Sequence, residues 1–349
     1  MSAGWYPRAV SFGGGGARII GSMGTLSQLI ESGITEHVTD WYGCSAGTYC
    51  ALFGAIGATG SWIRDAAIIF DGRIISLINE ENVCDYAKVW GLSSTKAMDE
   101  MIGKLIDTWE PGSSAWTFAD LAKYRPESRL HMLATNMTQG SPVVFNAVNT
   151  PDIRLLDALC ASSALPLYFV PWIHPKTGDI YIDGGIIENY IWSAIPNKND
   201  TLVVVCAETD IVGRSFRAKQ PNNMMEYVAR IVSLIHRYDA PIPKFWIAVN
   251  IKHIQVIDFG IGKEEKMEAY EEGVRSAKGW LAFRDSMISS PEGTSENRSG
   301  CEHPNTSCAG HPLSGKMSDS RQSHTPLLHS DLPPDLHKQK RHCARRWSL

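Results

Sequence analysis

The sequence predicts an α/β protein in which helices pack on a sheet of buried strands. Three observations carry this. Two strand, glycine turn, helix units open the chain, further β-rich apolar runs alternate with helical patterns, and 44% of the 349 residues are hydrophobic. That is enough to bury the core of one domain of about 200 to 280 residues. Arg8 to Phe12 reads as the first strand, the glycines Gly13 to Gly16 as a turn, and the stretch ending near Ser32-Gly33 as a helix. Thr39 to Tyr42 is the second β-rich run, followed by Gly43-Cys44-Ser45-Ala46-Gly47 and another apolar helical pattern. Arg129 to Ala134 and Val203 to Val205 read as buried strands, Leu155 to Ser163 and Asn222 to Arg237 as helices, and Phe245 to Phe259 as extended. Lys263 to Met287 is a long amphipathic helix with Met267, Tyr270, Val274, Ala277 and Leu281 on one face, a pattern for packing on a core rather than entering a membrane.

The pentapeptide Gly43 to Gly47 stands where a G-x-S-x-G nucleophile elbow belongs, between a strand and a helix. A turn this tight strains the serine backbone and needs small neighbours, which Gly43, Ala46 and Gly47 supply. Ser45 Oγ is then presented at a helix N-terminus, whose open N–H groups favour developing negative charge.

Gly13 to Gly16 remove every Cβ from the first turn, so its backbone N–H groups can converge on an anion, either a phosphate or the oxyanion of acyl transfer. The phosphate fingerprints fail. Registers from Gly13 and Gly14 put Arg18 and Ile19 where G-x-G-x-x-G needs its last glycine, and no Gly-Lys-Ser/Thr follows. Only 42 residues precede Gly43, too few for the several strands that an α/β-hydrolase builds before its elbow. Downstream, Tyr181-Ile182-Asp183-Gly184-Gly185 places an aspartate at a strand end, 138 residues after Ser45. Taken alone, Asp-Gly is a turn signal in any protein.

Together these blocks resemble the patatin-like phospholipase family: the glycine loop Gly14-Gly15-Gly16-Ala17-Arg18, the elbow Gly43 to Gly47, and Asp183-Gly184-Gly185. Leu133 to Phe145 and Ala161 to Phe169 are similar to intervening family segments in order and spacing, so the resemblance runs from about Arg8 to Glu208. Ile19 stands where many members have glycine and Asn136 where many have aspartate. The resemblance implies a three-layer sandwich, a central mostly parallel sheet with helices on both faces. It also implies acyl-ester hydrolysis by a dyad of Ser45 as nucleophile and Asp183 as general base. A serine hydroxyl needs a base within hydrogen-bond reach, and burial raises a carboxylate pKa toward working pH, so no histidine is required. The amides of Gly14, Gly15 and Gly16 are the expected oxyanion donors, each worth about 3 kcal/mol in other serine hydrolases. Arg18 either braces the loop or meets an anionic head group. The expected partner is a glycerolipid at a membrane or lipid-droplet surface, and the chemistry calls for no cofactor or metal.

Histidines are the competing bases. His131 falls in a strand, His174 in a turn, and neither carries a motif; His236 and His253 alone have triad order. From Ser289 onward polar residues crowd the chain without periodicity, which predicts a disordered tail. The expected organisation is therefore a core over 8–208, helices and strands completing or flanking it over 209–287, and a tail over 288–349. Cys301, His303, Cys308 and His311 lack the C-x2-4-C spacing of a zinc clamp. The terminal cluster Lys338, Lys340, Arg341, Arg345 and Arg346 reads as a solvated tail. Without that tail the body holds 25 Lys and Arg against 31 Asp and Glu, a net charge of −6, which argues against nucleic-acid binding by the core. The eight cysteines show no framework spacing, no charged-then-apolar leader opens the chain, and no run approaches the roughly 20 apolar residues of a spanning helix. A cytoplasmic protein whose membrane contact is peripheral is expected. Two other readings remain open: a noncatalytic lipid-binding or scaffold protein of the same fold, and a Ser-His-Asp esterase for small esters.

Overall fold

The computed structural model describes residues 5–207 and 243–289. The helix expected over Asn222 to Arg237, His236, the tail from residue 290, its Cys301, His303, Cys308 and His311, and its terminal cations all lie outside the described residues. The chain begins with β1 (Ala9–Phe12), α1 (Ile19–Glu31), β2 (Asp40–Cys44), α2 (Gly47–Ala55) and α3 (Gly60–Ile69). Three short helices follow, α4 (Gly72–Ile75), α5 (Glu80–Cys84) and α6 (Tyr86–Val89), then β3 (Gly91–Ser93), α7 (Lys96–Trp109) and α8 (Phe118–Tyr124). Next come β4 (Arg129–Asn136), β5 (Ser141–Phe145), α9 (Leu155–Ser162), β6 (Leu167–Phe169), β7 (Trp172–Ile173) and β8 (Ile180–Asp183). The last described elements are β9 (Thr201–Ala207), β10 (Phe245–Asn250) and α10 (Lys263–Ser289).

The sheet is central, mostly parallel and flanked by helices. Strands β10, β9, β1, β2 and β4 run parallel in that order, while β8 and β5 each pair β4 antiparallel and β7 pairs β8 antiparallel. Parallel strands are buried on both faces, which is why β9 reads as a continuous apolar run from Leu202 to Ala207 and every residue of β1 is buried. Val10, Phe12, Trp41, Met132, Leu202 and Val204 point into the main core with α1, α2 and α9. Their neighbours Tyr42, Cys44 and Leu133 face the other way, against Ile191 and Ile195, while Val203 and Val205 pack on Tyr190.

β4 is the template for the site. It pairs β2 through Arg129 to Leu133 and β8 through Ala134 to Asn136, while β5 occupies Met132 to Asn136. Since β5 overlaps both, β2 and β8 must share the opposite edge and meet there end to end. Cys44 is opposite Leu133 and Asp183 opposite Ala134, so one step along β4 brings together segments distant in sequence.

Helices α1 and α10 cross with their backbones in contact. A Cβ on Gly24 would stand 2.0 Å from Tyr270 O, and one on Gly273 1.8 Å from Gly21 O. Thr25 Oγ1 closes the contact by donating to Gly273 O at 3.1 Å. On α10, Tyr270 and Ala277 are buried and Met267, Val274 and Leu281 half-buried, as the amphipathic pattern requires. Gly273→Ala is expected to cost about 1–3 kcal/mol, because the helices must part to admit a methyl group. Thermal denaturation checks this; an unchanged Tm would mean that the crossing is loose.

Candidate active site

The second strand runs farther than Thr39 to Tyr42, through Gly43 and Cys44, so Ser45 begins immediately at the strand end. Its φ is +52°, a left-handed conformation that costs a non-glycine residue on the order of 1 kcal/mol. Hydrogen bonds hold it there. Ser45 N–H donates to Ser162 Oγ at 3.0 Å, and Ser45 O accepts from Thr48 Oγ1 at 2.7 Å and Thr48 N–H at 3.0 Å. Gly43 and Gly47 leave room for the turn: a Cβ would lie 2.6 Å from Thr48 Cα at the first and 2.2 Å from Phe12 O at the second.

Ser45 Oγ donates to Asp183 Oδ2 at 2.5 Å. Asp183 is 5% exposed, and its other oxygen accepts from Gly185 N–H at 2.7 Å. Its backbone is fixed as tightly, with Asp183 N–H donating to Ala164 O at 2.9 Å and Asp183 O accepting from Thr135 Oγ1 at 3.0 Å. Gly184 lets this turn lie against β4, where a Cβ would fall 2.3 Å from Leu133 O. Burial pushes the Asp183 carboxyl up from 3.8 to about 6, against the opposing pull of hydrogen bonds from Ser45 and Gly185.

In the glycine loop, Gly14 N–H donates to Asn189 O at 3.0 Å, so this amide is committed and does not serve as an open anion donor as expected. The described residues offer no acceptor to the N–H groups of Gly15 and Gly16. Gly16 has φ +55° and lies so close to Val256 O that a Cβ would stand 2.0 Å away. Arg18 is 5% exposed and its Nε donates to Ile254 O at 2.7 Å. That geometry braces the loop from within and leaves the guanidinium no solvent-facing position for a head group. The extended stretch expected through Phe259 ends at Asn250, because the following loop turns its carbonyls toward Arg18 and Ala17 N–H.

Among the described residues no histidine bonds to Ser45 or Asp183. His131 pairs with Asp40 at 3.1 Å and stacks on Tyr42, His174 accepts from Lys176 and Thr177 N–H in its turn, and His253 lies 3.9 Å from Glu268. Asn136 is likewise occupied elsewhere, reaching Asp179, Tyr181 and the Gln139 amide.

A family model described as patatin-like phospholipase matches residues 10–194, more than half of the chain. The chain belongs to the patatin-like phospholipase family. Two relatives, each a cGAMP-activated phospholipase, come from Escherichia coli and Vibrio cholerae; both are 26% identical, over 199 and 204 residues. Each match covers 52% of this chain, and the chain spans only about half of the relatives' length, 52% and 54%. Among solved structures, VipD from Legionella pneumophila is similar with a TM-score of 0.51 at 16% identity, over 80% of this chain and 67% of VipD, which is a likeness of fold.

In this patatin-like chain Ser162 has a role that no motif announces, although it lies in one of the family-like segments. Fully buried, it accepts from Ser45 N–H and donates to Leu133 O at 2.5 Å, joining the elbow to β4, the strand against which the Asp183 end of β8 is paired. Only its place in a Ser-Ala run before Pro166 hinted at this. Ser162→Ala orphans the Ser45 amide and is expected to lower kcat about 10- to 100-fold with little change in KM. Turnover per site titrated with a fluorophosphonate checks this, since a merely structural loss would reduce the number of sites and not the rate of each.

Proposed function

We propose that this chain is a lipid acyl hydrolase that cleaves carboxylic ester bonds of phospholipids or other glycerolipids. The observation that carries the reading is the direct hydrogen bond from Ser45 Oγ to a buried Asp183 whose carboxyl is poised near pH 6, in a member of a phospholipase family. Asp183 Oδ2 takes the serine proton as Ser45 Oγ attacks the ester carbonyl. The tetrahedral oxyanion is met by the Gly15 and Gly16 amides, which Arg18 holds in place from behind. Collapse expels the alcohol, which receives the proton from Asp183 and leaves an acyl-Ser45 ester. Asp183 then deprotonates water, which attacks that ester, and the fatty acid leaves as Ser45 regains its proton.

The catalytic body on this reading is the expected 8–208, and of the expected 209–287 the described residues from 243 complete it, since β10 extends the sheet and α10 covers α1. A scaffold without catalysis has no use for a strained serine bonded to a buried carboxylate, and the esterase reading would need a histidine where Asp183 stands. No helix among the described residues is long and apolar enough to cross a membrane. The test is fatty-acid release from labelled phosphatidylcholine, phosphatidylethanolamine and triacylglycerol by wild type and Ser45→Ala. Release by wild type alone is expected; lipid binding without release from any of them would favour the scaffold.

A further inference from the structure

Six large apolar side chains, Ile69, Ile74, Leu77, Ile78, Val83 and Trp90, are 44% to 69% exposed and fall within the 22 residues that join the end of α3 to β3. Helices α5 and α6 in this stretch bury no residue at all, so they have no core of their own to form against. Yet the stretch is not loose. Phe70 packs edge-on against Tyr49 of α2, with centroids 5.9 Å apart. Tyr168 Oη donates to Ser76 O at 3.3 Å and Tyr86 Oη to Leu167 O at 3.2 Å, while β3 pairs in parallel with β6. β6 starts three residues after Ala164, the carbonyl that anchors Asp183. Trp90 and Leu167, where the stretch meets β6, have φ of +58° and +67°; Ser45 is the third non-glycine residue with positive φ among those described.

The charges of this surface are also distinctive. Asp71, Glu80, Glu81 and Asp85 stand against Arg73 and Lys88. Both cations are taken, Arg73 by Asp71 and Lys88 by Asp85, at 2.8 and 2.7 Å. The uncompensated charges are carboxylates, which anionic head groups would repel.

We propose that residues 69–90 are the surface by which the protein docks on a zwitterionic phosphatidylcholine bilayer, inserting the exposed apolar side chains and setting the Ser45 site against the lipid. The proposal rests on the lipid-hydrolase reading above. Apolar insertion supplies the affinity, so salt does not release the protein and anionic lipid weakens binding.

The experiment is co-sedimentation of the full chain with phosphatidylcholine vesicles, with and without phosphatidylserine, for wild type and Leu77→Asp/Ile78→Asp. Both positions are solvent-exposed, so the variant keeps the fold and hydrolyses a soluble monomeric ester at the wild-type rate. Its partitioning to phosphatidylcholine is expected to fall about 30-fold or more, and hydrolysis of vesicle lipid with it. Equal vesicle binding by variant and wild type overturns the proposal, as does wild-type binding to anionic vesicles alone, or a dimer that the variant dissolves in light scattering. Lost vesicle binding beside a wild type inert toward every ester upholds the docking surface and overturns the hydrolase reading. Unimpaired vesicle binding beside normal ester hydrolysis does the reverse.

Discussion

Ser45→Ala is expected to abolish ester hydrolysis, by a factor on the order of 10⁶ in turnover, the scale seen when a serine hydrolase loses its nucleophile. The fold should survive. One hydroxyl is removed and Asp183 Oδ2 loses its partner, while the backbone bonds to Ser162 and Thr48 that hold the elbow remain, so the stability change is on the order of 1–3 kcal/mol. Asp183→Asn alone should be nearly as damaging, since asparagine keeps the size and accepts from Gly185 N–H but cannot take the serine proton. Groups that act as a unit lose activity together, so the double variant should be no worse than Ser45→Ala. Turnover of one soluble ester by the three variants checks this, and a fluorophosphonate should label only chains that retain Ser45. Equal labelling of Ser45→Ala would place the nucleophile elsewhere.

The second large effect is on pH. Asp183 must be ionised to accept a proton, so kcat/KM should rise tenfold per pH unit on the acid side and level off above about pH 6. An unperturbed aspartate would level off near pH 4. The same shift bears on stability with the opposite sign. Between its ordinary value of 3.8 and about 6, the folded protein holds a proton that the unfolded chain has released, so this group lowers stability as pH rises through that window. Asp183→Asn removes the buried charge. It should therefore match wild type near pH 4 and exceed it above pH 7, by on the order of 3 kcal/mol. Thermal melts at the two pH values check this; a variant less stable than wild type at high pH would mean that the carboxylate is not penalised by its burial.

The residues that sequence reasoning found are those whose chemistry leaves a local mark. Ser45 stands between Gly43 and Gly47 because Thr48 Cα and Phe12 O leave no space for a Cβ there, and Asp183 is followed by Gly184 because the turn presses on Leu133 O. The meeting of the two is set by the pairing of β4 with β2 and β8, a long-range arrangement with no local signature. For the same reason the tie through Ser162, the capture of the Gly14 amide by Asn189 and the inward turn of Arg18 toward Ile254 were not legible. An arginine after a glycine loop reads as solvated until the chain folds a carbonyl over it. The exposure of the stretch 69–90 was not legible because Phe70, Ile74, Leu77 and Ile78 keep the spacing of an ordinary core-facing helix, whereas the chain forms only short helices capped by Asp71 and Asn79.

In the proposed mechanism Asp183 is the base for Ser45, with no histidine between. The most direct test is turnover of a single soluble ester by Asp183→Asn, His236→Ala and His253→Ala, measured side by side with wild type. Asp183→Asn is expected to be inactive and both histidine variants to keep near wild-type turnover, with their activity still falling away below about pH 6. Near-normal turnover in Asp183→Asn, with either histidine variant dead, would contradict that mechanism.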